Sequence, residues 1–296
     1  MAAQIIDGKA IAAQIRSEVR ERAASITPSP HLHAVIVGDD PASALYVRNK
    51  ERACGEAGLR STVHRLPATT TQEELIALVE KLNRDPDADG ILVQSPLPKG
   101  LDEHAIIMGI TPSKDVDCFH PENVGLLVAG TPRFLPCTPA GVQQLLVRSG
   151  IDPAGKHAVV VGRSNIVGKP MVNILLQKQK GANATVTVCH TGTRDMAHHT
   201  RQADILIVAA GRPKTITADM VKPGAAVIDV GQNLVSDATA PKGTRFVGDV
   251  DYEAVSKVAG WITPVPGGVG PMTVAILMQN TLTSAMLRSS RPHARA

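Results

Sequence analysis

The chain has 296 residues, enough for two domains, and 43% of them are hydrophobic, enough to fill real cores. Its net charge of +4 is spread without a block of five or more Lys or Arg, and only 2% of residues are aromatic. This excludes nucleic-acid binding through a basic patch or a set of stacking platforms; scattered cations suit an anionic small molecule instead.

The first elements alternate between helix and strand. Ile11, Ile15 and Val19 recur at helical spacing and predict a helix near Lys9 to Arg22. A strand at His33 to Val37 closes on Gly38, and a helical stretch runs from Ser43 to Ala57. A second strand is expected near Ser61 to Leu66. Thr71 with Glu74 three residues on is a capping box, and Leu75, Leu78, Val79 and Leu82 form the apolar face of the helix it starts. Ile91 to Val93 is a short buried strand ending at Gln94. This order argues for parallel strands joined by crossovers.

Prolines at 96, 98, 112, 121, 132 and 136 mark Ser95 to Thr138 as a wrapped loop region with one short helix near Glu103 to Met108. Loops this long in a compact domain are usually functional. Thr138 and Pro139 then read as the N-cap and first position of a helix through Val147.

A second α/β series follows. Ala158 to Val161 is a strand, Gly162 to Gly168 a turn, and Lys169 to Lys178 a helix. Strands at Thr185 to Cys189, Ile205 to Ala209 and Ala226 to Val230 make the series Rossmann-like. After Pro264 to Pro271, an apolar helix from Met272 to Leu287 is expected to return to the first domain, and Arg288 to Ala296 reads as a frayed basic tail. The fold class is thus α/β, with two three-layer domains. The first comprises 1–139 and 272–296; the second, Rossmann-like, comprises 140–271.

Cys54, Cys118, Cys137 and Cys189 form no C-x-x-C pair, so zinc-ribbon and thioredoxin readings fail and no metal is expected. Each reads as a small buried hydrophobe. The N-terminus lacks a basic segment followed by an apolar one, and no apolar run reaches about 18 residues. A soluble, cytoplasmic protein is expected, without membrane or nucleic-acid partners.

The turn at Gly162 has the local geometry that binds phosphates, because backbone N–H groups at a helix start point at an anion. Its spacing is not G-x-G-x-x-G, so alone it fits a plain α/β turn as well. The next strand end adds information. An NAD site normally has a carboxylate there, yet none occurs before Asp195. Arg163, Ser164, Thr191, Thr193 and Arg194 offer cations and hydroxyls suited to a ribose phosphate, which favours NADP. Arg194 fits equally as a solvated loop charge.

In the first half, Tyr46 and Lys50 stand four apart and share a helical face. Spacing alone favours an exposed lysine beside a core tyrosine. The functional alternative is a partly buried lysine that donates and accepts protons. Gln94 ends a buried strand, where ligands gather in open α/β sheets, and Asp115 and Asp117 follow in a loop.

The ordered set VGDDPAS–YVRNK, GILVQSPLP, KDVD-x-FHP, PCTPAG, GRSNIVGKP and PGGVGPMT closely resembles the methylenetetrahydrofolate dehydrogenase/cyclohydrolase family, from about Ile5 to Leu287. The resemblance implies a folate site in a cleft between two α/β domains, a homodimer, and NADP as cofactor. It implies that Lys50 is the acid/base group of the cyclohydrolase step, tuned by Gln94, with Tyr46 stacking on the aminobenzoyl ring. Ser43 would line the pocket, and Asp117 would accept hydrogen bonds from the pterin. Pro264, Gly267, Gly268 and Thr273 would meet the folate. Gly162, Arg163, Ser164, Thr191, Thr193 and Gln232 would meet NADP.

Two positions depart from the family pattern. Cys118 stands where glycine is usual, and so must fit a β-region backbone or narrow the pocket. Gln232 stands where isoleucine is common. Three other readings differ in what they predict. A dehydrogenase with little cyclohydrolase activity would follow from Cys118 or Gln232. A shikimate- or amino-acid-type dehydrogenase leaves Tyr46, Lys50 and Gln94 unexplained together. A non-catalytic NADP-binding regulator predicts a broken first site.

Overall fold

The computed structural model describes residues 2–240 and 243–289. The chain divides into two compact units, one of Met1–Ala12 with Thr138–Thr273, the other of Ala13–Cys137 with Val274–Ala296.

The chain begins with β1 (Gln4–Ile5) and α1 (Gly8–Ala23). The unit of residues 13–137 is then built on β2 (His31–Val37), α2 (Pro41–Glu56), β3 (Arg60–Leu66), α3 (Gln72–Arg84) and β4 (Gly90–Val93). The strands pair in parallel in the order β3-β2-β4. All of β2 is buried, as expected of a central parallel strand covered on both faces. One face packs Val35, Val37 and Ile91 against Leu75, Val79 and Leu82 of α3. Asp40 caps α2 by accepting from Ser43 N, and Thr71 and Glu74 make the expected capping box on α3.

The proline-rich stretch holds two helices, α4 (Glu103–Gly109) and α5 (Pro121–Val128), rather than one. Pro121 is at the start of α5 behind a His120 cap, where a proline loses no hydrogen bond. It therefore begins a helix instead of breaking one.

The other unit starts within α6 (Cys137–Arg148). Thr138 is not its N-cap: the helix already includes Cys137, and the Thr138 hydroxyl lies 2.9 Å from that of Thr273. Next come β5 (His157–Val161), α7 (Gly168–Leu176), β6 (Thr185–Cys189), α8 (Met196–Thr200), β7 (Ile205–Val208) and β8 (Ala226–Asp229). Like β1 and α8, four later elements had no sequence counterpart: β9 (Asn233–Ser236), β10 (Thr244–Val247), α9 (Tyr252–Val255) and β11 (Trp261–Ile262). β9 and β10 form an antiparallel hairpin. The six-stranded parallel sheet runs β1-β11-β8-β7-β5-β6, so the chain's first strand completes this sheet.

The final helix, α10 (Val269–Ser289), starts three residues earlier than its apolar pattern suggests, inside the glycine-rich PGGVGP segment. Past Val274 it packs within the 13–137 unit. Asn280 donates to the carbonyls of Val116 and Leu135, at 2.8 and 2.9 Å. Arg288, expected in a frayed tail, instead pairs with the buried Asp89 at 2.7 Å. The remainder of that expected tail, 290–296, lies outside the described residues. Among the described residues no helix is long and apolar enough to cross a membrane.

Candidate active site

Lys50 and Gln94 meet. α2 places Lys50 one turn after Tyr46, and β4 ends just before Gln94, whose N–H continues the sheet by donating to Val35 O at 2.8 Å. The Lys50 ammonium donates to Gln94 Oε1 at 3.0 Å, and the Gln94 amide donates onward to Ser95 O at 2.6 Å. That second bond fixes which end of the amide faces the lysine, so the oxygen is held toward the cation. Tyr46 is 40% exposed, enough to present its ring to a ligand, and Ser43 is buried.

Asp117 completes the group. Burial pushes its carboxyl up from the usual range, and the nearby Lys50 ammonium opposes that shift. The Cys137 thiol donates to Val116 O at 3.5 Å, and burial, reinforced by the nearby Asp117 carboxylate, raises that thiol. Asp115 shapes the loop that delivers Asp117, accepting from His120 N and Asn123 Nδ2, both at 2.8 Å. From the sequence Asp115 was placed only in a loop, and Cys137 read as a small buried hydrophobe. Cys137 is buried, as are the other three cysteines, but its thiol is used. Its only sequence signal was its place in PCTPAG.

Cys118 resolves differently from either sequence alternative. Its backbone is left-handed, at φ 64°, so it occupies the conformation that glycine would favour. Its thiol turns inward and donates to Phe134 O at 3.3 Å, leaving the residue 1% exposed.

The glycine-rich segment lies in the other unit. Gly267 has φ 111°, and Gly268 packs so closely on Pro264 O and Thr263 that a Cβ would stand 2.7–2.8 Å from them. Thr273 bonds Thr138 there.

The phosphate-type turn follows β5. Gly162 has φ 130°, and a Cβ on it would overlap the Ala209 carbonyl oxygen; one on Gly168 would overlap Gly162 O. Ser164 Oγ accepts from Val167 N and Gly168 N at 3.1 and 3.3 Å, closing the turn onto α7, and Arg163 is exposed beside it. After β6, Thr193 Oγ1 accepts from His190 N at 2.9 Å, which shapes the loop, whereas Thr191 is exposed. Asp195, the first carboxylate after that strand, is used as the cap of α8. Gln232 is exposed, with its amide so near Gly270 that a Cβ there would lie 2.7 Å from Nε2. Among the described residues no group of three or more His, Cys, Asp or Glu is arranged to hold a metal ion.

Two family models cover most of the chain. The catalytic domain of tetrahydrofolate dehydrogenase/cyclohydrolase matches residues 6–117, and the NAD(P)-binding domain of the same family matches 136–289. The chain belongs to the tetrahydrofolate dehydrogenase/cyclohydrolase family. Its function is that family's pair of reactions: oxidation of 5,10-methylenetetrahydrofolate and hydrolysis of the methenyl product to 10-formyltetrahydrofolate.

Individual relatives agree along the whole length. Bifunctional protein FolD of Chlorobium phaeobacteroides (strain BS1) is 56% identical over 288 residues, covering 95% of this chain and 97% of its own. That of Moorella thermoacetica is also 56% identical over 288 residues, covering 96% and 99%. Among solved structures, the bifunctional FolD enzyme of Campylobacter jejuni superposes with a TM-score of 0.89 at 49% identity, covering 97% of this chain and 100% of that one. The FolD enzyme of Trypanosoma brucei, solved with NADP cofactor and inhibitor, has a TM-score of 0.92 at 41% identity, covering 98% and 100%.

Proposed function

We propose that Lys50 carries the proton of the cyclohydrolase reaction, in an enzyme that first oxidises its folate substrate with NADP. The observation behind this role is the 3.0 Å bond from the Lys50 ammonium to Gln94 Oε1, with Asp117 near enough to feel the same charge. Gln94 and Asp117 hold the amine in place, Tyr46 offers a ring face, and Ser43 lines the same region. Pro264, Gly267, Gly268 and Thr273 supply the further folate contacts. The division of labour gives folate chemistry to the unit of Lys50 and cofactor binding to the unit of Gly162.

NADP fits the second unit on three counts. The Gly162 turn has no room for a side chain, Arg163 stands exposed beside it, and the carboxylate that would favour an unphosphorylated ribose is committed to capping α8. Gly162, Arg163, Ser164, Thr191 and Thr193 bind the phosphates, and Gln232 faces the nicotinamide end. When bound, the cofactor accepts a hydride from the methylene carbon, and the two folate nitrogens share the resulting positive charge. The protein's task there is orientation.

Hydrolysis needs proton movement as well. Water adds to the methenyl carbon and loses one proton; the resulting hydroxyl then gives up its own proton as the carbon–oxygen double bond forms, the bond to N5 breaks and N5 takes up a proton, so that one proton is released to solvent overall. One amine at Lys50 serves both directions of transfer, as acceptor when neutral and donor when charged. We place the enzyme in the cytoplasm as a homodimer, supplying formyl groups to biosynthesis, including that of purines.

Lys50→Met is expected to lower cyclohydrolase kcat by about three orders of magnitude, in the range typical for a lost acid/base group, while part of the dehydrogenase activity remains. Following decay of methenyl-folate without cofactor measures it. An unchanged rate would sink the assignment.

A further inference from the structure

Two buried carboxylates, Asp229 and Asp249, have no part in the roles above. Both lie in the unit of Gly162. There β5 leads to β6 on one side, while β7 and β8 lie on the other. The ends of β5 and β7 are therefore the switch point where open parallel sheets take ligands. Gly162 follows β5, and Ala209 follows β7.

Ala209 is the floor of the Gly162 turn. Its N–H donates to Val161 O at 2.7 Å, and its carbonyl fills the space a Cβ on Gly162 would need. The next two N–H groups, of Ala210 and Gly211, both donate to Asp249 Oδ2, at 2.6 and 2.8 Å. Asp249 Oδ1 accepts from Asn233 Nδ2 at 2.8 Å. The Asp249 N–H donates in turn to Asp229 Oδ1 at 2.9 Å. Asp229 also accepts from Gly231 N at 2.9 Å and Val250 N at 3.0 Å. Two glycines are committed to this arrangement, since a Cβ on Gly231 would overlap Asp249 Oδ1 and one on Gly248 would overlap Asp229 Oδ2.

We propose that Asp249 is a positioning residue for NADP binding, locking the 209–211 backbone against the Gly162 turn, with Asp229 holding Asp249 in place. This rests on the reading that this unit binds NADP. Without the carboxylate, the N–H groups of Ala210 and Gly211 lose a charge-assisted acceptor at a part-buried site, and the backbone is free to move toward other partners. Ala209 moves with it and the turn loses its floor.

Calorimetric titration with NADP tests this, because the stoichiometry reports the folded fraction and the Kd reports the site. Asp249→Ala is expected to weaken NADP binding about tenfold, the scale of one strong hydrogen bond. Asp249→Asn sets one amide N–H against the amide N–H of Asn233 and should weaken it by a similar factor. Adding Asn233→Asp to Asp249→Asn exchanges donor and acceptor across that bond but leaves Val247 O, 3.4 Å from Asn233 Nδ2, without its donor, so the Kd should recover part of the way toward the parent. A purely structural role would lower stoichiometry or Tm and leave the Kd of the folded fraction alone. Parent-like Kd in Asp249→Ala at full stoichiometry, or no recovery in the exchanged pair, overturns the proposal. If Asp249→Ala does not fold, the exchanged pair decides. If the parent itself binds no NADP, the cofactor reading fails, independently of Asp249.

Discussion

Each unit holds a buried titratable group, His33 in one and Asp229 in the other, and the two respond to acid in opposite directions. In the unit of Lys50, three imidazoles run along β2 and β3: His33 Nε2 lies 3.2 Å from His31 Nδ1, and His33 Nδ1 lies 3.0 Å from His64 Nε2. Burial, reinforced by His31 and His64, pushes His33 down to about 4, with Asp85 and Asp87 opposing. In the unit of Gly162, burial pushes Asp229 up to about 6 despite three backbone donors, and the charge of Asp249 adds to the shift. Acid puts a charge on His33 and removes one from Asp229. The stability of the structure around β2 and β3 should therefore respond to acid differently from that around β7 and β8.

The larger effect belongs to His33. Its folded pKa is below its unfolded value of 6.5, so its contribution is present above pH 6.5 and is lost as pH falls through about 4. The shift corresponds to about 3 kcal/mol. The protection of β2 and β3 amides, taken relative to their intrinsic exchange rates at each pH, should therefore fall between pH 6.5 and 4, and His33→Val should remove most of that fall. Equal acid sensitivity in His33→Val would break the comparison on this side.

Asp229 should give a smaller change of opposite sign. Its folded pKa lies above its unfolded value of 3.8, so its contribution is complete below pH 3.8 and lost as pH rises through about 6. Because Asp249 shares the site, the change is about 2 kcal/mol rather than the full shift. Protection of β7 and β8 amides, taken relative to their intrinsic exchange rates, should rise between pH 6.5 and 4, where that of β2 and β3 falls. Asp229→Asn should flatten the response, and a retained slope would assign it to another group.

The same contrast explains what could be read from the amino-acid order. The site around Lys50 is made of side chains, so helical spacing paired Tyr46 with Lys50, and a strand end picked out Gln94. The network behind the Gly162 turn is made mostly of backbone N–H groups, whose direction depends on where β7, β8 and β9 come to lie. Asp229 and Asp249 therefore carried no periodic or motif signal of their own. β1 and β11 have two residues each, too few for any period. Pro121 hid α5 because proline ends helices more often than it starts them, and only the preceding His120 cap distinguishes the cases.

The smallest effect concerns backbone strain. Gly162 and Gly267 meet positive φ with glycine, whereas Cys118 takes φ 64° beside Asp117, as Asn183, Asp195 and Lys214 take positive φ in the other unit. A left-handed L-residue costs roughly 1–2 kcal/mol relative to glycine. The thiol returns part of that by packing at 1% exposure and donating to Phe134 O. Cys118→Gly therefore should not stabilise the protein, since relief of strain is offset by a vacated pocket and a more flexible unfolded chain. Cys118→Ala keeps the strain and also loses the sulfur. Denaturant unfolding should accordingly rank the glycine variant above the alanine variant by about 1 kcal/mol. The reverse order would mean that the left-handed backbone at 118 costs less than a single methyl group contributes, and that Cys118 narrows the surroundings of Asp117 without straining them.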